Sequence, residues 1–127
     1  MREETTRLLK QADRDIENGC RNIDIGAYEV AAFLAEQAVE KYLKGAFLEI
    51  KRTATPRTHY LMELGQQLGA PQPILRDLAY LTPDYTMSRY PDAANGIPYE
   101  IYDQELAEKK IATAKRVIEW LRTLMKR

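Results

Sequence analysis

The stretch from Ala27 to Lys51 constrains this chain more than any other. Tyr28, Ala32, Ala35, Val39, Tyr42 and Ala46 recur at spacings of three and four, so they share one face of a helix. Ala31, Leu34 and Ala38, followed by Leu43, Phe47 and Ile50, widen that face well past a coiled-coil seam. A helix this broadly apolar needs neighbours on more than one side, and its alanines let them come close. Glu36, Gln37, Glu40, Lys41 and Lys44 make up its polar strip. The segment is therefore expected at the centre of a helical bundle.

The flanking sequence supplies the neighbours. Leu9, Ala12, Ile16, Gly19 or Cys20, and Ile23 line one face of a first helix from Glu3 to Ile23, which Gly26 ends in a left-handed turn. A last helix from Asp103 to Lys126 carries Ala107, Ile111, Ala114, Ile118, Leu121 and Met125 in a heptad rhythm. Between them, Thr58 is the expected N-cap of a short helix ending near Gly69. Pro71 and Pro73 open another short helix, with Ile74, Leu75, Leu78 and Leu81, that Pro83 closes. Residues 84–102 show no helical period but hold Tyr85, Tyr90, Tyr99 and Tyr102, which points to an ordered loop. Strand alternation and internal repeats are absent. The expected fold is all-α: one domain over residues 1–127, an up-down antiparallel bundle of three long and two short helices with one long loop.

Composition removes several classes of function. The 127 residues suffice for one hydrophobic core without a staple. One histidine and one cysteine cannot form a metal site of the usual nitrogen and sulfur kind, so no metal and no cofactor are expected. Phosphate-loop, HExxH and GxSxG patterns are missing. Nineteen basic residues balance nineteen acidic ones, which argues against a dedicated binder of duplex DNA. The single cysteine, Cys20, fits a reducing compartment, and neither a signal peptide nor a membrane span is legible. The expectation is a cytoplasmic protein. Most carboxylates fall on outer helix faces and read as solvated charge.

Two places could carry chemistry. Lys51, Arg52, Arg57 and His59 cluster at a helix end and the start of the next helix. Histidine can move protons near neutrality, and arginines can grip phosphate. The alternative is that these cations complement the carboxyl end of the second helix while His59 caps or packs the third. The other place is Met87-Ser88-Arg89-Tyr90-Pro91-Asp92. Arg89 among tyrosines can stack on a base or hold phosphate; the alternative is that Tyr85, Tyr90, Tyr99 and Tyr102 pin the loop across the bundle while Arg89 pairs with a carboxylate of its own domain. The only serine, Ser88, makes a serine–histidine triad a poor prospect.

Several segments in order resemble the HEPN family (higher eukaryote and prokaryote nucleotide-binding domains). They are Ala12-Asp13-Arg14-Asp15-Ile16, Gly26 to Phe33, Glu36-Gln37-Ala38-Val39-Glu40-Lys41-Tyr42-Leu43-Lys44-Gly45, Thr58-His59-Tyr60-Leu61 and Arg89-Tyr90-Pro91. The resemblance spans nearly the whole chain. It implies a helical bundle that pairs as a homodimer, binds nucleotide or single-stranded RNA, and works beside a small nucleotidyltransferase. Some members are RNA-cleaving toxins that such a partner neutralises. Their arginine, four to six residues and a histidine is matched by Arg52 and His59, although Pro56 keeps that pair off one continuous helix. Carried over, His59 is the general acid–base of a metal-independent endoribonuclease and Arg52 or Arg57 its phosphate-stabilising cation. Lys41, Lys44, Arg57, Arg89 and Tyr90 are then the nucleotide- or RNA-binding residues. The alternative is a non-catalytic helical module for protein interaction or nucleotide sensing.

Overall fold

The computed structural model describes residues 1–126, and among these every regular element is helical. The three long helices are α1 (Glu3–Asp24), α2 (Tyr28–Lys51) and α8 (Gln104–Met125). The all-α expectation holds, with helix ends within one residue of those read from the sequence. Gly26 has φ +77°, the left-handed turn that stops α1. Asp103 caps α8 by accepting the Leu106 N–H at 2.8 Å.

As its breadth requires, α2 is central. Ala31, Ala32, Ala35, Ala38 and Ala46 are fully buried, and both α1 and α8 pack on it. The short turn makes α1 and α2 antiparallel, with Lys41 beside Asp15 and Thr5 beside Gly45. Asp13 lies by Arg122 while Asp24 lies near Gln104, so α8 runs antiparallel to α1 and parallel to α2. The return is carried by the connection between α2 and α8. One polar knot ties all three long helices together. The Tyr42 hydroxyl donates to Asp13 Oδ1 at 2.8 Å, and Arg122 donates to both Tyr42 and Asp13 at 3.2 Å.

Within the connection lie α3 (Leu61–Gln67) and α4 (Gln72–Leu81), which pack on each other. Leu61, Leu64, Leu78 and Leu81 are fully buried, each contributing roughly 1.5–3 kcal/mol. A Cβ at Gly65 would run into Leu78, so the pair packs this closely only around glycine. Thr58 is not the cap of α3. The helix begins at Leu61 with Tyr60 at the cap position, and Thr58 Oγ1 accepts the Tyr60 N–H in a turn before it.

Residues 84–102 differ from the irregular loop expected. They form three single turns: α5 (Asp84–Met87), α6 (Pro91–Ala94) and α7 (Pro98–Ile101). Pro91 and Pro98 start two of them, their fixed φ being suited to a first turn, and Asn95 at φ +54° ends α6. One turn is too short to show a period of 3.6, which is why the sequence hides them. The tyrosines do not all pin this segment. Tyr102 is buried, whereas Tyr90 and Tyr99 are largely exposed.

Candidate functional site

Two carboxylates of the expected polar strip of α2 are inside the protein. Glu36 is fully buried and Glu40 nearly so. With Phe33 they form a second stripe, spaced three and four residues, on the side of α2 away from Tyr42 (about 180–200° round the helix from Phe33 and Glu40). The turn α5 packs over α2. The expectation of solvated charge fails here because α5, invisible in the sequence, covers this strip.

Glu40 organises one end of the stripe. Its Oε1 lies 2.9 Å from His59 Nδ1, and its Oε2 accepts from Lys44 Nζ at 3.2 Å. The carboxylate thereby orients the imidazole, while His59 Nε2 has no hydrogen-bond partner among the described residues. The His59 ring, more than half exposed, stacks on Tyr85, with centroids 4.6 Å apart and planes inclined by 18°.

Arg89 meets the same tyrosine. Its guanidinium carbon lies 4.6 Å from the Tyr85 centroid, 4.8 Å from that of Phe33 and 5.1 Å from that of Tyr90. Its Nε donates to the Tyr85 carbonyl at 2.7 Å. Arg89 is exposed and has no carboxylate partner among the described residues. Three separated segments thus converge, with Glu40 on α2, His59 before α3, and Arg89 after α5. Beside them opens a groove of about 500 Å³ lined by Arg57, His59, Tyr60, Pro83, Tyr85 and Thr86.

What holds α5 in place is a buried ion pair. Asp84 Oδ2 lies 2.8 Å from Lys110 Nζ of α8, and Asp84 Oδ1 accepts the Tyr102 hydroxyl at 2.5 Å. Lys110 also donates to the Tyr80 carbonyl at 2.6 Å and sits 3.6 Å above the Tyr80 ring. Burial pushes the Asp84 carboxyl above its usual range, against the pull of Lys110 and Tyr102. The Ser88 hydroxyl donates to the Asp84 carbonyl, so it braces this turn rather than serving a nucleophilic triad.

Glu36 lies between Phe33 and Glu40 on the stripe. Its Oε1 accepts from Gln37 at 2.8 Å, and its Oε2 is buried without a hydrogen-bond partner. Burial raises its pKa to about 8; Glu40 and Asp84 add to the rise, and Gln37 and Lys41 oppose it. At neutral pH the group therefore carries its proton.

The residues singled out from the sequence separate into groups. His59 and Arg57 line one groove, Arg89 meets it through Tyr85, and Tyr90 touches only Arg89. Lys44 joins them through Glu40, whereas Lys41 is committed to Asp15 at 2.6 Å. Arg52, left-handed at the end of α2, lines another groove with Glu49, Ile50, Leu124, Met125 and Lys126. Within one chain, Arg52 and His59 therefore do not share a groove. Sequence reasoning passed over Glu36, Glu40, Asp84 and Tyr85. The 3–4 spacing of Phe33, Glu36 and Glu40 was the available signal, masked because glutamates at such positions usually face water.

The HEPN domain model matches residues 5–124. Among solved structures, the crystal structure of ST0689, an archaeal HEPN homologue, is 34% identical, with a TM-score of 0.84, covering 99% of this chain and 100% of that one. TT1696 from Thermus thermophilus is 24% identical, with a TM-score of 0.88 and coverage of 97% and 99%, a likeness of fold. A search of curated proteins returns no match. No helix among the described residues is long and apolar enough to cross a membrane. With its fold, its ordered segments and a family match over almost its full length in agreement, the chain belongs to the HEPN family.

Proposed function

We propose that the groove at His59, Tyr85 and Arg89 binds the phosphate and base of a nucleotide or of single-stranded RNA. The observation that carries this reading is Arg89, an exposed guanidinium with no carboxylate partner among the described residues, laid on a tyrosine that also stacks on His59. Arg57 at the groove adds a second cation, and the exposed Tyr60 offers a face on which a base can stack. Replacing Arg89 by Ala should weaken binding of a short oligoadenylate by roughly 1–3 kcal/mol, the worth of a charge-assisted contact. Folding stability should fall by about 1 kcal/mol, because one exposed hydrogen bond to the Tyr85 carbonyl and the contacts with three rings are lost. A large drop in melting temperature with unchanged affinity would make Arg89 structural and sink the reading.

A second reading, cleavage of the bound RNA, is favoured by the Glu40–His59 pair. With Nδ1 on the carboxylate, Nε2 is left to take the proton of a ribose 2′-hydroxyl. The resulting oxygen attacks the adjacent phosphorus, a cyclic phosphate forms, and the 5′-oxygen leaves with a proton from water. Arg57 or Arg89 balances charge on the phosphorane, and the step needs no metal. Purified protein should then cut single-stranded RNA in the presence of a chelator, and His59→Ala should abolish cutting without lowering the melting temperature. Cutting that persists in the variant would exclude His59. No cutting at all would favour a nucleotide-sensing or protein-interaction module.

A toxin role, with a nucleotidyltransferase-type partner as antitoxin, belongs to this cleavage reading. A homodimer belongs to both readings, and light scattering at micromolar concentration should give about twice the 14.7 kDa chain mass.

A further inference from the structure

The feature of this molecule that the site leaves unexplained is Glu36. A fully buried carboxyl with one oxygen lacking any partner is expensive, and a group kept at such a cost calls for a reason. Its surroundings limit what it can do when it loses its proton. On its own helix stand Glu40, which repels it, and Lys41, which is already engaged by Asp15. From α5 comes Asp84, whose charge is answered by Lys110 of α8 and whose other oxygen takes the Tyr102 hydroxyl. His59, from the segment before α3, faces Glu40. Each of these cations therefore has a carboxylate already.

Arg89 has none, and it lies over Phe33, three residues before Glu36 and on the same stripe of α2. We propose that Glu36 gates Arg89: protonated, it leaves the guanidinium stacked on Tyr85 and open to a ligand phosphate, and ionised, it draws the guanidinium off Tyr85 into an ion pair of its own. The contact is autoinhibitory, because a guanidinium spent on Glu36 is withdrawn from phosphate. This regulation rests on the reading of the groove as a phosphate site, but the exchange between Glu36 and Arg89 can be observed without ligand. Pairing with Arg89 favours the ionised form, so the switch falls at or below the pKa of about 8 that burial gives Glu36 without it.

The ligand-free test follows the 15N signal of Arg89 Nε and the carboxyl carbon of Glu36 by NMR from pH 6.5 to 9.5. Both should move with one shared midpoint at or below about pH 8, and in Glu36→Gln the Arg89 signal should stay still. The second arm titrates adenosine 5′-monophosphate and a ten-residue oligoadenylate at pH 7 and pH 9. The dissociation constant should rise severalfold in the wild-type protein, within the roughly tenfold limit that one proton titrating near pH 8 allows between these values, and less than about twofold in Glu36→Gln. An Arg89 signal that ignores the Glu36 midpoint, or that titrates equally in the variant, overturns the proposal. If the signals move together but neither probe binds at any pH, the gate stands and the reading of the groove fails. Should Glu36→Gln not fold, the shared midpoint in the wild-type protein decides alone.

Discussion

Lys110→Met should cost about 3–5 kcal/mol of folding stability, the usual consequence of leaving one member of a buried ion pair alone. Lys110 and Asp84 are both almost fully buried, and the ammonium also serves the Tyr80 carbonyl, so the carboxylate and the carbonyl lose a partner at once. Methionine fills most of the volume, so the loss reports charge and hydrogen bonding rather than a cavity. Asp84 can respond by taking a proton, which its burial already favours. The unfolded chain releases that proton at an ordinary carboxylate pKa, so the penalty should be smaller at pH 5 than at pH 8. Adding Asp84→Asn to Lys110→Met should recover part of the loss, because no lone charge then remains inside. Denaturant melts of the two variants at both pH values provide the check. A loss below about 1 kcal/mol in the single variant would show that the pair does not hold α5 down. Since Asp84 opens the turn that carries Tyr85, the same variant should also loosen the stack on His59.

The parts of this molecule legible in its sequence are those with a long period. Twenty-four residues of α2 repeat their pattern six times over, and α1 and α8 follow because each has a full stripe to bury. The turns α5, α6 and α7 repeat nothing, so only their prolines and Asn95 hinted at them. The site was half legible for the same reason. His59, Arg57 and Arg89 stood out by residue type, and the ordered HEPN-like segments containing His59 and Arg89 do meet in space. Tyr85, the ring that joins them, was one aromatic among four in an unpatterned stretch. The pairing of Arg52 with His59 was carried over from the spacing of the HEPN arginine–histidine motif, and spacing says nothing of where a chain turns. Arg52 ends α2 in a left-handed turn, and eight residues without helix separate it from α3. Glu36 and Glu40 were misjudged because a helix shows which face is polar without showing what later covers it.

Glu36→Gln should raise folding stability at pH 8 by roughly 3–5 kcal/mol and leave it nearly unchanged at pH 4. The variant keeps the shape of the side chain and the oxygen that accepts from Gln37, and it removes only the capacity to ionise. In the unfolded chain Glu36 ionises near pH 4.5, whereas in the folded chain it holds its proton to about pH 8. Between those values the folded state binds one proton more than the unfolded state, so wild-type stability falls as pH rises across this window. Below it both states are protonated, and above it both are ionised, so this contribution is constant at either side. The difference between variant and wild type isolates it apart from the smaller mutual coupling of Glu36 with Glu40 and Asp84. Chemical denaturation at half-unit steps from pH 4 to pH 9 should give two curves that meet at the acid end, diverge through neutrality and run parallel above pH 8. Curves parallel throughout would mean that Glu36 titrates like an exposed carboxylate, and the buried proton would have to be abandoned. A variant less stable at every pH would mean that the new amide, buried without an acceptor, costs more than the ionisable acid it replaces.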